Sequence, residues 1–271
     1  MKLLSLLKSR SVFTPMMIGW AMLTLIPAIL LISDTTLFPL LPLNSLSAEG
    51  LFWLTSSGTA PYGVATVLFI LLLSYQRLGR AQFISLFLTI SLGMCTTLGL
   101  NHYLKPFFNE ARPNAVLLEQ QYLLNTTNFY TLTKSERKAQ MAASLERLEH
   151  AETDLVLSPL VKQHWKNEVG FAFPSGHTLF AVTLTMIASY YLLLAGNWVL
   201  PMILFIWSVA MGFSRMLLGM HWSQDVLAST VLGGVISLFS LFFIHKTFPY
   251  GAKLYTYLSV KLRQKQAALR P

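Results

Sequence analysis

The sequence PSGH, residues 174–177, leads directly into TLFAVTLTMIASYYLLLA, residues 178–195, a run without any charged side chain. A helix needs about 20 mainly apolar residues to cross the hydrocarbon core of a bilayer. Residues 176–195 are therefore predicted to form a transmembrane helix. The PSGH string is predicted to be a tight turn that leads into this helix at the edge of the membrane.

The whole chain has the composition of an integral membrane protein. Of its 271 residues, 54% are hydrophobic and only 11% are charged, whereas soluble domains carry about 25% charged residues. We predict an all-α integral membrane fold, a single domain over residues 1–271, with six transmembrane helices. The predicted spans are about 13–33, 54–75, 81–101, 176–195, 198–217 and 224–245.

Two of these spans need comment. The N-terminal sequence MKLLSLLKSR could open a signal peptide, but the apolar run after it is long and no small-residue cleavage site follows, so we interpret it as an uncleaved first span. The second span is the weakest at its start, where Gly58, Pro61 and Gly63 interrupt the apolar run.

The distribution of basic residues predicts the orientation of the chain. Lysine and arginine precede the first span, follow the second and sixth spans, and are absent from the loop 34–53. By the positive-inside rule both termini and the tail 246–271 are cytoplasmic, and the segment 102–173 lies on the opposite side. Since the net charge of +9 comes largely from such flanking residues, it does not indicate a nucleic-acid partner.

The polar segment 102–173 is predicted to be partly helical. Thr133 and Glu136 have the spacing of a capping box, and a helix is predicted from there to about residue 152. Its residues Met141, Leu145 and Leu148 lie on one face. We expect this face to pack against the rest of the protein, with a lid or a lipid gate as the alternative.

Three short strings carry most of the residues suited to chemistry. They are KPFFNEARP (105–113), PSGH (174–177) and SRMLLGMHWSQD (214–225), and each lies where an apolar span begins or ends. The predicted topology places all three on the same, non-cytoplasmic side. Together they offer cations for a phosphate, histidines for attack and proton transfer, and an aspartate to orient one histidine.

The third string predicts a nucleophile and an anion-binding arginine. His221 and Asp225 are four residues apart and would be neighbours on one helical face if the helix has begun by residue 221. An aspartate that accepts from one imidazole nitrogen leaves the other nitrogen free to attack. Arg215 lies near the membrane boundary, where an unpaired charge is costly, so a bound anion would explain its presence.

The other two strings predict further contacts to a phosphate. In the second, Gly176 permits close approach of the backbone, the first N–H groups of the helix would point at an anion, Ser175 offers a hydroxyl, and His177 could protonate a departing oxygen. In the first, Lys105 and Arg112 are seven residues apart and could share a helical face. In that case Pro106 would have to lie in the first turn of the helix, and otherwise the segment is not helical throughout.

Together the strings fit the pattern K-x6-RP, PSGH and SR-x5-H-x3-D, which resembles the type 2 phosphatidic acid phosphatase superfamily. The resemblance extends through 129–132, 164–165, 170–173 and 217–222 and covers the chain from the first span to about residue 245. It implies a phosphatase of the bacterial inner membrane whose site faces the periplasm. It implies that His221 attacks phosphorus, that Asp225 holds His221, and that His177 donates a proton to the leaving group. The implied phosphate-binding residues are Lys105, Arg112, Ser175, Gly176 and Arg215.

The resemblance also implies substrates, and no cofactor or metal. The first expected substrate is phosphatidylglycerophosphate, followed by undecaprenyl pyrophosphate, phosphatidic acid, lysophosphatidic acid and diacylglycerol pyrophosphate. The main alternative is a dedicated undecaprenyl pyrophosphate phosphatase, and a phosphotransferase or a lipid transporter are others. A two-histidine, one-carboxylate metal site made by His177, His221 and Asp225 is disfavoured because three nearby cations would repel a divalent ion.

Overall fold

The computed structural model describes residues 2–151, 153 and 155–268, with side chains placed for the described residues between 12 and 249. Every regular element in this part of the chain is a helix, which confirms the predicted all-α class. The elements are α1 (Lys2–Ile32), α2 (Leu46–Ser56), α3 (Tyr62–Tyr75), α4 (Arg80–Phe108), α5 (Pro113–Gln120), α6 (Thr126–Phe129), α7 (Lys134–His150), α8 (Pro159–Asn167), α9 (Gly176–Leu194), α10 (Val199–Leu217) and α11 (Ser223–Ala268). Residues 269–271 of the predicted tail lie outside the described residues.

Five of these helices, α1, α4, α9, α10 and α11, are long and apolar enough to cross a membrane. The predicted second span, 54–75, is divided by a turn at residues 57–61 between α2 and α3. Helix α3 is apolar but has only 14 residues, about 21 Å of helix, so a span at this place would need the turn as well. The interrupting residues noted in the sequence therefore mark a real break, and the count of six spans stays a prediction.

Helix α9 is the centre of the bundle, in contact with α1, α4, α10 and α11. From His177 to Leu193 every one of its residues is buried except Phe180. Since the hydrocarbon of a bilayer offers no hydrogen bonds, most polar side chains of α9 pair within the protein, although the buried Ser189 hydroxyl has no partner among the described residues. The Thr185 hydroxyl, for example, donates to the Leu204 carbonyl at 3.1 Å.

The segment between α4 and α9 has a second apolar core of its own. It contains four helices, α5 to α8, and its core joins them to the loop after α10. Thr133 and Glu136 form the predicted capping box at the start of α7. Met141, Leu145 and Leu148 are at most 4% exposed in this core, so the predicted packing role of the α7 face is confirmed.

The structure decides two local predictions that the sequence left conditional. Lys105 and Arg112 do not share a helix, because α4 ends at Phe108, Asn109 adopts a left-handed conformation with φ of 49°, and Arg112 is the N-cap of α5. Pro106 lies in the last turn of α4 rather than in a first turn. Likewise α11 begins at Ser223, so His221 lies in the loop before the helix that carries Asp225.

The loop that carries His221, residues 218–222, is held in place by contacts with Phe38 and Trp165. Gly219 has φ of 70°, and a Cβ atom there would come within 2.6 Å of the Phe38 ring. Phe38 packs edge-on against Trp165, whose indole N–H donates to the Leu218 carbonyl at 2.9 Å. Only glycine fits this position without strain, and the turn fixes where His221 can point.

Candidate active site

The strings 105–113, 174–177 and 214–225 meet around one cavity of about 580 Å³. One end of the cavity is charged, and the other is apolar and lies among α3, α4 and α9. The residues at the charged end are Lys105, Arg112, Glu168, His177 and His221, and those at the apolar end include Val64, Val67, Met94, Leu98 and Phe180. A ligand with a charged group and an apolar chain matches both ends.

His221 and Asp225 form a buried pair at the charged end. The Nδ1 atom of His221 lies 3.3 Å from Oδ2 of Asp225, and the two side chains are at most 1% exposed. The same Oδ2 atom accepts from the backbone N–H of Trp222 at 2.8 Å, which fixes the carboxylate. With its proton on Nδ1, the imidazole keeps a lone pair on Nε2 for attack on an electrophile.

The protonation of His221 gives a testable pH dependence. Burial, followed by the positive charges of Arg112 and Arg215, holds the pKa of His221 well below its ordinary value of 6.5. If His221 is the nucleophile, as the sequence predicts, attack needs its neutral imidazole, which is lost only when the pH falls below that pKa. We therefore expect kcat/KM to stay high as the pH is lowered through 6.5 and to fall only at more acidic pH. A fall centred near the ordinary value, in a profile measured with a soluble phosphate ester, would contradict this.

Arg112 and Arg215 both point at the carboxylate of Glu168. An NH1 atom of Arg112 donates to Oε2 of Glu168 at 3.1 Å, and the NH2 atom of Arg215 lies 3.3 Å from the same oxygen. His177 Nε2 is 3.8 Å from the other oxygen. Burial alone would raise the pKa of Glu168, but Arg215, His177 and Arg112 hold it well below its ordinary value. The site thus holds a tetrad in which one oxyanion is surrounded by three cationic or proton-carrying groups.

Arg215 is oriented by neighbours from distant parts of the chain. Its side chain is fully buried, and NH1 donates to the Thr55 hydroxyl at 2.7 Å and to Nε2 of His164 at 2.9 Å. Burial and then the charge of Arg215 lower the pKa of His164 to about 3. His164 is therefore neutral, and its Nε2 can accept from the guanidinium. The Nε atom of Arg215 has no partner among the described residues.

Lys105 and Arg112 are positioned through an aromatic pair. The Lys105 ammonium donates to the Phe171 carbonyl at 2.7 Å, and the backbone N–H of Arg112 donates to the Tyr130 hydroxyl at 3.0 Å. The Tyr130 and Phe171 rings stack with centroids 5.1 Å apart. Arg137 from α7 lies over the Phe171 ring at 5.2 Å, in the range of a cation–π contact.

The second string has the predicted turn-to-helix geometry. Ser175 is the N-cap of α9, and its hydroxyl accepts from the backbone N–H of Thr178 at 3.4 Å. Gly176 lines the cavity, with the Asn101 side chain 3.4 Å from where a Cβ atom would lie. His177, in the first turn, hydrogen-bonds through Nε2 to the Thr59 hydroxyl in the turn between α2 and α3. His177 and His221 therefore line the same cavity.

Comparison with known families agrees with this geometry. Residues 83–249 match the model of the PAP2 superfamily, the type 2 phosphatidic acid phosphatases. The chain belongs to the PAP2 superfamily. The matched residues contain all three strings, and the resemblance inferred from their spacing is confirmed.

Individual PAP2 relatives are similar over most of the chain. The phosphatidylglycerophosphatase B of Escherichia coli K12 is 31% identical over 225 residues, which cover 82% of this chain and 85% of that protein. The phosphatidylglycerophosphatase B of Haemophilus influenzae is 32% identical over 212 residues, covering 75% of this chain and 86% of that protein. Together with the apolar helices, these likenesses identify a multi-pass membrane protein of a lipid phosphatase family.

Four residues of this PAP2 site were missed by the sequence analysis. They are Thr55, Thr59, His164 and Glu168. Each is a single polar residue in a stretch without a repeating pattern, and each reaches the site only through the tertiary fold. The pair His164-Trp165 was noted as part of the family resemblance, but nothing in its sequence indicated that the histidine would contact Arg215.

Proposed function

We propose that the protein hydrolyses phosphatidylglycerophosphate to phosphatidylglycerol and inorganic phosphate, without a metal ion, through a phosphohistidine on His221. The observation that carries the proposal is the Glu168 carboxylate, held by Arg112 and Arg215 beside His177. A phosphate needs the same donors, and it would lie in the cavity that His221 also lines. The choice of lipid is supported by the relatives, which are named phosphatidylglycerophosphatase B.

In the first step, the Nε2 lone pair of His221 forms a bond to phosphorus while the bond from phosphorus to the ester oxygen breaks. His177 gives its proton to that departing oxygen, and Lys105, Arg112 and Arg215 stabilise the charge on the phosphoryl oxygens. The N–H groups at the start of α9, with Ser175 and Gly176, add further donors. The alcohol, phosphatidylglycerol, then leaves.

In the second step, neutral His177 takes a proton from a water molecule, and the resulting hydroxide attacks phosphorus. The bond from phosphorus to His221 breaks, inorganic phosphate is released, and both histidines return to their starting state. Positioning and fixed positive charge supply most of the rate enhancement in phosphoryl transfer. This is why so many donors converge on one small volume.

The apolar end of the cavity supports a lipid as the substrate. Residues of α3, α4 and α9 form a wall against which an acyl chain can pack next to the charged end.

We further propose that residues 102–173 and the site face the periplasm of a bacterial inner membrane, with both termini cytoplasmic. The orientation follows from the lysine and arginine distribution.

A labelling experiment tests the periplasmic position of residues 102–173. A Ser135→Cys variant, in a Cys95→Ala background, should react with a membrane-impermeant maleimide in intact spheroplasts.

The proposed activity is tested by phosphate release from phosphatidylglycerophosphate in detergent, with and without EDTA. Within the described residues no three His, Cys, Asp or Glu side chains are arranged to ligate an ion, and we expect equal rates in the two conditions. Loss of activity with EDTA that added Mg²⁺ restores would contradict metal independence. Turnover of undecaprenyl pyrophosphate but not of phosphatidylglycerophosphate would replace the proposed substrate with the alternative.

The acid role of His177 predicts a dependence on the leaving group. With lipid phosphates, whose alkoxide must be protonated, His177→Ala should slow turnover by roughly 10²–10⁴-fold. With p-nitrophenyl phosphate the departing phenolate needs little protonation, so the initial burst of p-nitrophenol should be nearly preserved while the later steady state slows. A burst rate reduced as much as lipid turnover would show that His177 acts otherwise.

A further inference from the structure

The guanidinium of Arg215 meets different kinds of acceptor on its different nitrogens. NH1 donates to the Thr55 hydroxyl at 2.7 Å and to Nε2 of His164 at 2.9 Å, which uses both of its N–H groups. NH2 lies 3.3 Å from the Glu168 carboxylate, and Nε has no partner among the described residues. NH1 is therefore occupied by two side chains without a negative charge, and NH2 and Nε are the nitrogens left for an anion.

The hydrogen bond between His164 and Arg215 requires a neutral imidazole. A guanidinium nitrogen can only donate, so the contact is a hydrogen bond only if Nε2 of His164 carries no proton and accepts. The single proton of the ring is then on Nδ1. The chemical environment agrees with this geometry, because burial, followed by the charge of Arg215, lowers the pKa of His164 to about 3.

Helix α8 fixes the place of the His164 ring. The ring packs edge-on against Phe52 of α2, with centroids 5.6 Å apart, and the next residue, Trp165, is fully buried. The His164 carbonyl accepts from the backbone N–H of Glu168 at 3.0 Å. The neutral acceptor and the carboxylate are thus one helical turn apart, and the same end of α8 reaches two nitrogens of the guanidinium.

The charge of the acceptor on NH1 affects what Arg215 can bind. A carboxylate there would also orient the guanidinium, but it would offset the positive charge in a buried site, where charges interact strongly. A neutral imidazole and a hydroxyl fix the orientation and leave the charge unchanged. The whole positive charge of Arg215 is then available to an anion at NH2 and Nε.

We propose that His164 is a positioning residue for Arg215, the proposed phosphate-binding arginine. As a neutral acceptor it anchors NH1, so that the edge formed by Nε and NH2 is presented to the substrate phosphate with its charge intact. Two parallel N–H groups on that edge match two oxygens of a phosphoryl group. The inference rests on the proposed function only in that the bound anion is a phosphoryl group, and it does not depend on which lipid carries that group.

Three substitutions at His164 separate the hydrogen bond from the charge. His164→Gln keeps a neutral acceptor near the position of Nε2, His164→Glu has the same shape but adds a negative charge, and His164→Leu has no acceptor. The measured quantity is the dissociation constant of orthovanadate in detergent, from isothermal titration calorimetry, which needs neither lipid nor turnover. His150→Glu, at an exposed histidine in the last turn of α7, is the matched control for an added carboxylate.

We expect the neutral acceptor alone to preserve binding. His164→Gln should bind vanadate within about threefold of wild type. His164→Leu should bind roughly 10- to 100-fold more weakly, the equivalent of one hydrogen bond to a charged group. His164→Glu should bind at least as weakly as His164→Leu, because its carboxylate offsets the charge of Arg215 and repels the anion. His150→Glu should bind as wild type does.

Each result decides the proposal. Equal binding by His164→Gln and His164→Glu would overturn it, and so would wild-type binding by His164→Leu or equal losses in His164→Leu and His164→Gln. A purely structural role would lower the unfolding temperature without separating the Gln variant from the Glu variant. If His164→Leu does not elute as folded protein, the Gln and Glu variants decide alone.

The same measurement distinguishes this inference from the proposed function. Absence of vanadate binding by wild type would overturn the anion-binding role of Arg215, and with it the positioning role of His164. If the expected order of affinities is found but phosphatidylglycerophosphate is not hydrolysed, the positioning role is supported and only the proposed lipid substrate is wrong.

Discussion

The His221→Ala variant is expected to release no phosphate above background from any lipid phosphate. Its imidazole lines the charged end of the cavity, and its Nδ1 atom lies 3.3 Å from the buried Asp225 carboxylate, which leaves Nε2 for attack. In the proposed mechanism the bond to phosphorus cannot form without this imidazole, and Arg112, Arg215 and His177 would bind substrate without reaction. Loss of a nucleophile or its base in comparable catalytic groups lowers kcat by at least about 10⁴-fold. Phosphate release from detergent-solubilised protein measures it directly.

A trapping experiment separates this role from general damage. Substrate labelled in the terminal phosphate should leave label on wild-type protein quenched in alkaline detergent, in which phosphohistidine survives, and no label on His221→Ala. The matched control is His150→Ala, at an exposed histidine that ends α7, which should label normally. Turnover by His221→Ala near the wild-type rate would remove His221 as the nucleophile. Comparable elution in gel filtration establishes that the variant is folded.

The Arg215→Lys variant is expected to lose about 10²–10³-fold in kcat/KM, the scale for removal of one preorganised donor to a developing oxyanion. The guanidinium contacts Thr55, His164 and Glu168 at the same time and is fully buried. A lysine ammonium keeps the positive charge but concentrates it on one nitrogen. It therefore cannot reproduce the planar, multi-donor geometry of the guanidinium. Inhibition by vanadate, which mimics the five-coordinate phosphorus, should weaken in parallel.

The control for this prediction is Arg147→Lys on α7. Arg147 also donates from its guanidinium, to the Leu123 carbonyl at 2.8 Å, but it is exposed and lies outside the cavity. We expect unchanged kcat/KM and vanadate inhibition there. If Arg215→Lys retained wild-type values for both, then the planar geometry of Arg215 would not matter for phosphate binding, and charge alone would explain its presence.

Much of the bundle could be predicted because each long helix carries its own signal. The apolar runs that became α9 and α10 were placed to within about two residues, since burial in a bilayer needs length and apolarity that are visible in the sequence. The break at 57–61 was visible as Gly58 and Pro61. What could not be predicted was where α4 ends, because a proline suits the first turn of a helix, whereas Pro106 lies in the last turn of α4.

The residues of the candidate site also fall into two groups, those that the sequence predicts and those that it does not. Its motif residues could be named from spacing, whereas Glu168, Thr55 and Thr59 could not, since their contacts join positions 47, 160 and 118 residues apart. The sequence around Glu168 contains no pattern that would indicate its contacts with two arginines. Such long-range pairs depend on how α2, α8 and α10 pack, which composition and periodicity do not determine.

The cavity has a kinetic consequence. Val64 and Leu98, which line its apolar end, are 57% and 71% exposed on the outside of the bundle, so the wall that would hold an acyl chain is also a surface that faces the bilayer. Under the proposed function, a lipid bound there would not leave the plane of the membrane entirely. Turnover should therefore follow surface dilution. At a fixed molar concentration of substrate, added inert detergent or phospholipid should lower the rate, because encounters depend on two-dimensional density rather than on the amount in solution.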